Sequence, residues 1–204
     1  MKTARCVLAA AIWAVFGSGF LLAGEFNKTL SIGSKVVAFE DLPGTDGKTH
    51  SLDDWKDKKA VVVVFTCNSC PTAVDYEDRI IRFANKFAGE SVAVVAVGVN
   101  KIAEDSLENM KKKAESKKLP YVWLFDESQK TARDFGANYT PEFFLLDAGR
   151  KVVYMGAFDD KNAEKEAKIG HLERATAALL KGEKVENAET LARGCMIRFA
   201  RKRD

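Results

Sequence analysis

Phe65-Thr66-Cys67-Asn68-Ser69-Cys70-Pro71 stands where one sequence pattern ends and another begins. Before it, residues 60–66 form an unbroken apolar, β-branched run, the mark of a strand buried on both faces. After it, Ala73, Tyr76, Ile80, Ala84 and Phe87 recur at steps of three and four, which predicts a helix stopped by Gly89. The cysteines therefore sit at a strand-to-helix junction. Backbone N–H groups at a helix start carry partial positive charge and favour a thiolate. Two intervening residues let the second sulfur reach the first across one helical turn. On this reading Cys67 is exposed at the helix start and attacks or is attacked, while the more buried Cys70 resolves the mixed disulfide. Pro71 fits the first turn, where a missing N–H costs little. The same pair could be a structural disulfide or half of a zinc site. Zinc usually needs four ligands, and Cys195, His50 and His171 are the residues left to complete it.

Working outward, residues 35–40 and 48–52 flank Pro43-Gly44-Thr45-Asp46-Gly47 and predict a β-hairpin. Residues 92–99 form a second buried strand. Leu107, Met110 and Ala114 mark a more polar helix ending before Pro120. Residues 121–125 are a short strand, and residues 129–135 one or two helical turns. Strands at 143–146 and 151–155 are joined by Asp147-Ala148-Gly149-Arg150, a hairpin turn. Ile169, Leu172, Ala175 and Leu179 form the stripe of a last helix, closed by Gly182. Parallel crossovers followed by an antiparallel hairpin predict an α/β fold, a mixed sheet with helices on both faces and an N-terminal β-hairpin.

Asn138-Tyr139-Thr140-Pro141-Glu142 precedes one of these strands, roughly seventy residues after the cysteines. Strand–CxxC–helix followed by Thr-Pro at the opening of an antiparallel hairpin resembles the thioredoxin superfamily. The match is closest to its redoxin branch, which includes the alkyl hydroperoxide reductase/thiol-specific antioxidant group and the TlpA/ResA-like extracytoplasmic thioredoxins. The resemblance covers residues 32–181, with a C-terminal tail at 182–204. It implies a thioredoxin-like fold in which Pro141 is cis beside the redox cysteines and Thr140 offers its backbone to an incoming peptide or thiol. An ordinary trans X-Pro bond at a strand start is the alternative. Residues 65–79 and the ending Gly194-Cys195-Met196-Ile197 resemble a bacterial subgroup of redoxin-domain proteins. The implied activity is thiol–disulfide oxidoreductase, exchanging a CxxC dithiol or disulfide with protein or small-molecule thiols and needing no bound cofactor or metal. The pattern is shared by reductants, isomerases and oxidants, which differ in redox potential.

The chain departs from that family at two places. Thr66 stands where many thioredoxins have Trp, and Val61 where they often carry a buried acid. Asp75 and Glu77 follow the cysteines closely and read as charges in the early turns of an exposed helix. A thiol peroxidase is an alternative activity. Peroxiredoxins carry Pro-x-x-x-Thr-x-x-Cys, whereas here Thr66 directly precedes Cys67 and residues 61–65 contain no proline, which disfavours an efficient peroxidase. A Sco-like copper-binding protein is another, suggested by Cys70-Pro71 and His171. Those proteins have three residues between the cysteines, and His171 lies off the last helix's apolar stripe, so it and His50 read as solvated or boundary histidines.

The N-terminus carries Met1, Lys2 and Arg5, then a nearly all-apolar run over residues 6–22, then Ala23-Gly24 before Glu25. This is the pattern of a secretory signal peptide at residues 1–24, and it places the domain outside the cytoplasm, in a periplasmic or similar oxidising space. An uncleaved anchor is the other reading, and would be the chain's one membrane contact. Cleavage lowers the net charge from +3 to +1 by removing Lys2 and Arg5. The 204 residues are 47 % apolar and 30 % charged, with 32 Lys and Arg against 29 Asp and Glu. That supports a sizeable core and argues against nucleic acid as a partner. Arg198, Arg201, Lys202 and Arg203 read as a solvated basic end. Cys195 is left over among three cysteines of the mature chain. It is either a small buried residue anchoring an extended tail or a third redox thiol that exchanges with Cys67 and Cys70.

Overall fold

The computed structural model describes residues 24–200. The predicted signal peptide at 1–24, apart from its last residue Gly24, and the basic residues Arg201, Lys202 and Arg203 lie outside them. None of the described helices is long and apolar enough to cross a membrane.

The elements follow in the order β1 (Leu42–Pro43), β2 (Thr49–His50), β3 (Ala60–Phe65), α1 (Pro71–Phe87), β4 (Val92–Gly98), α2 (Leu107–Lys117), β5 (Val122–Phe125), α3 (Lys130–Phe135), β6 (Tyr139–Thr140), β7 (Glu142–Asp147), β8 (Val152–Gly156), α4 (His171–Lys181) and β9 (Cys195–Met196). The main sheet has the order β5-β4-β3-β7-β8. β3 pairs parallel with β4 and β4 with β5, whereas β3 pairs antiparallel with β7 and β7 with β8. This is the thioredoxin-like mixed sheet that the sequence led us to expect.

The continuous apolar runs of β3 and β4 are explained by burial on both faces. Val62 and Val64 face α1 and α4 through Tyr76, Ile80, Phe83 and Leu172. Val61, Val63 and Phe65 face the other way, onto α3 and the N-terminal segment through Phe135, Phe39 and Leu30. Alternate residues of one strand thus feed two separate cores.

Two local expectations need correction. The N-terminal hairpin is only a two-residue pairing, Leu42 with His50 and Pro43 with Thr49. Its predicted first arm runs elsewhere: Lys35 bridges Lys151, and Asp41 takes a left-handed backbone just before the strand. Nor does Gly89 stop α1. Residues 88–90 form a 3₁₀ turn, and Ser91 carries the left-handed residue that turns the chain into β4.

The C-terminal residues pack onto the body of the domain. Ala192 and Ile197 are buried, and Ile197 belongs to the core on the α3 side. The Ile197 N–H donates to Asn138 O (2.8 Å), Arg198 N–H to Asn100 Oδ1 (2.9 Å) and Ala200 N–H to Gln129 Oε1 (2.7 Å).

Candidate active site

Cys67 and Cys70 lie between the end of β3 and the start of α1, as the sequence placed them. Cys70 is the helix N-cap: its sulfur accepts the Ala73 N–H (3.4 Å), and Pro71 opens the first turn. Both cysteines are free thiols. The Thr140–Pro141 bond is cis, and it stands beside them. Thr140 is the common neighbour. Its hydroxyl lies 3.4 Å from Cys67 Sγ, and its carbonyl accepts from Cys70 Sγ (3.1 Å).

Exposure differs from expectation. Cys67 is only 3 % exposed and Cys70 only 1 %. Thr140 (1 % exposed) and Ala73 (0 %) close over them. The ionisation pattern differs as well. Burial, the largest influence, and then the charge of Asp105 push the Cys67 thiol above its ordinary value, against the contacts from Thr140 and Ser69. Burial opposes ionisation of Cys70 too, but hydrogen bonds from the Cys195 thiol and the Ala73 N–H outweigh it and hold this thiol below its ordinary value. The Cys195 thiol, and after it the Ala73 N–H at the helix start, therefore favour a thiolate at Cys70, which caps the helix, rather than at Cys67, which precedes the cap.

Two acids at this site carried no sequence signal of their role as strong as the cysteines'. Asp105 is 1 % exposed and clamps the CxxC loop. It accepts from the Ser69 N–H (2.8 Å), the Ser69 hydroxyl (2.7 Å) and Asn100 Nδ2 (2.9 Å). A lone carboxylate just ahead of a helix cap is ordinary in sequence, so nothing singled it out. Glu142 follows Pro141 and is buried; its Oε2 accepts the N–H groups of Asn138 (2.8 Å) and Tyr139 (2.9 Å), bracing the loop that carries Thr140. Burial pushes its carboxyl up to about 7. A charged residue opening the apolar run Phe143-Phe144-Leu145-Leu146 was the available clue.

The expected surface position of Glu77 is also corrected. It is 8 % exposed and pairs with Lys113 (2.7 Å) and Lys117 (3.4 Å) of α2, tying α1 to α2. Asp75 is exposed, as read. His171 lies at the start of α4, where its charged neighbours are Asp160, Asp159, Arg174 and Arg193. His50 is held between Asp46 and Asp54, at 3.0 Å from each. Neither histidine is brought into the cysteine cluster.

Cys195 is brought there. β9 pairs antiparallel with β6, setting Cys195 opposite Thr140, and Cys195 packs against Cys67, Cys70 and Ala73.

Comparison with known proteins agrees with this architecture. The Redoxin family profile matches residues 31–170. The chain belongs to the Redoxin family. No curated protein matched this redoxin. Among solved structures, an uncharacterized conserved protein from Geobacillus kaustophilus is 32 % identical with a TM-score of 0.81, covering 87 % of this chain and 96 % of its own. A hypothetical protein from Sinorhizobium meliloti 1021 is also 32 % identical, with a TM-score of 0.79, covering 85 % of this redoxin and 97 % of that chain. A proposed thiol:disulfide interchange protein DsbE from Chlorobium tepidum, 24 % identical, shares the fold with a TM-score of 0.62, covering 74 % of this chain and 99 % of its own.

Proposed function

We propose that this redoxin is a thiol–disulfide oxidoreductase that exchanges the Cys67–Cys70 dithiol or disulfide with partner thiols. The observation that carries the reading is the convergence of both sulfurs on Thr140, beside Pro141, at a strand-to-helix junction. Two thiols held against one residue can pass a disulfide between them with little motion. Cys67 forms the mixed disulfide with the partner. Cys70, whose surroundings favour the thiolate, attacks Cys67 Sγ and releases the partner's sulfur with its electron pair. Thr140 and Pro141 shape the contact, and Asp105 holds the loop. In this direction the reaction needs only a partner disulfide as co-reactant, and in reverse only partner thiols. The N-terminal pattern of residues 1–24 supports export to an oxidising compartment such as the periplasm, where such a pair can cycle.

The test is a pair of variants assayed for reduction of a disulfide substrate. Cys67→Ser is expected to abolish turnover. Cys70→Ser is expected to accumulate a mixed disulfide through Cys67, seen as a mass increase equal to the bound partner. An active Cys67→Ser protein would overturn the assignment.

A further inference from the structure

The third cysteine is placed with more care than a packing residue requires. Gly194 lets the tail backbone press directly on the Thr140–Pro141 unit: a Cβ at Gly194 would lie 2.1 Å from Thr140 O and 2.7 Å from Thr140 C. The β6–β9 pairing then fixes which residue faces inward. Met196 is 73 % exposed, so its neighbour Cys195 turns the other way, onto the cysteine pair. Thr140 touches all three residues. Its hydroxyl also donates to Cys195 O (3.4 Å), in addition to its contacts with Cys67 and Cys70. Cys195 is also the most accessible of the three: it is partly exposed, whereas the other two are buried. Its neighbour Cys70, foremost, pushes this thiol up to about 11.

We propose that Cys195 is a third exchange thiol that takes over the disulfide bond of Cys70 and serves as the entry point for an external dithiol reductant. The proposal rests on the exchange reading of Cys67 and Cys70 and extends it. The Cys67–Cys70 disulfide arises when a partner disulfide is reduced. Cys195, after losing its proton, attacks Cys70 Sγ. The Cys70–Cys195 bond forms as the Cys67–Cys70 bond breaks, and Cys67 leaves with the electron pair and takes up a proton. One disulfide replaces another, so no oxidant is consumed. A donor dithiol then attacks the partly exposed Cys195 Sγ. Cys70 leaves as the thiolate that its surroundings favour, and the donor's second thiol closes the donor disulfide and frees Cys195.

The full chain, oxidised with one equivalent of diamide, alkylated and digested without reductant, gives the test by mass spectrometry. The wild type is expected to yield a linked Cys70–Cys195 peptide pair beside the Cys67–Cys70 species. Cys67→Ser is expected to yield Cys70–Cys195 alone. This variant leaves the tail untouched, so the result does not depend on how a Cys195 variant folds. In Cys195→Ser, re-reduction of the oxidised protein by dithiothreitol is expected to slow by about tenfold, because attack must reach a buried sulfur. A missing Cys70–Cys195 pair in both the wild type and Cys67→Ser overturns the third-thiol role. If Cys67–Cys70 still forms and turnover persists, the exchange reading survives that loss. If no disulfide forms among the three and disulfide substrates are not reduced, both readings fall.

Discussion

At the scale of single residues, the site combines buried thiols with a buried acid whose ionisation is linked to stability. Glu142 holds its proton more tightly in the folded chain than a free carboxylate does, with its value at about 7 because of burial. A raised folded value means that its stabilising contribution is complete below the ordinary carboxylate range and is lost as pH rises through about 7. Glu142→Gln keeps an oxygen to accept the Asn138 and Tyr139 N–H groups but does not titrate. Relative to this variant, the wild type is expected to lose on the order of 2 kcal/mol between pH 5 and pH 8. Urea unfolding at both pH values measures it; a difference between the two proteins that does not change with pH would refute the linkage. This acid sits one residue after Pro141, whereas Val61 occupies the position of the acid that many thioredoxins bury. By its resemblance to thioredoxins the chain lacks that acid. The structure supplies two others, Asp105 and Glu142, from different elements.

At the scale of elements, what could be read from sequence followed the range of the interaction. β3, β4 and α1 are encoded by local periodicity, so their existence and type were legible within a residue or two. The strand-to-helix position of Cys67 and Cys70 followed directly. The inversion of their expected ionisation did not, because it depends on which residue becomes the cap and on Cys195, far along the chain. The first hairpin was misplaced for a similar reason: Lys35 finds its partner at Lys151 rather than next door. The β6–β9 pair is likewise non-local, and an extended tail could be read but not its register. Its close approach gives a paired prediction. Gly194→Ala drives a methyl into the Thr140 backbone, whereas Gly89→Ala meets open space. The first is expected to destabilise the protein by roughly 2 kcal/mol and the second to change it by under about 1 kcal/mol. Denaturant midpoints measured side by side decide this. Equal midpoints would mean that β9 does not rest on Thr140 as described.

At the scale of the whole molecule, the folding unit is larger than the segment that resembles a thioredoxin or the 31–170 span of the family match. Both flanks are built in. Upstream, Leu30 is buried in the core and Asn27 Nδ2 donates to Phe135 O (2.7 Å). The Glu189 carboxylate then joins the two flanks, accepting the N–H groups of Glu25, Phe26 and Asn27 at 2.8 Å each. Downstream, Ile197 fills the same core as Leu30, and Gln129 Nε2 donates to Arg198 O (2.9 Å). Arg133 stacks on the Phe199 ring at 4.9 Å. Removing one buried Leu or Ile side chain typically costs about 2–5 kcal/mol, and ordinary domains are stable by only about 5–15 kcal/mol. A chain cut to residues 32–181 loses Leu30 and Ile197 together, along with the hydrogen bonds that close the Thr140 loop. Against residues 25–204, it is expected to lose at least about 4 kcal/mol, or to remain unfolded at 25 °C. The lost bonds lie around β6 and α3 and along β8, where Met155 pairs with Ala188 and Thr190, so amide exchange should rise first there rather than in β3 or β4. Matching midpoints and matching exchange in the two chains would show the flanks to be appendages. A selective loss at β6 would show that the tail which brings Cys195 to the cysteine pair also holds the Thr140 loop in place.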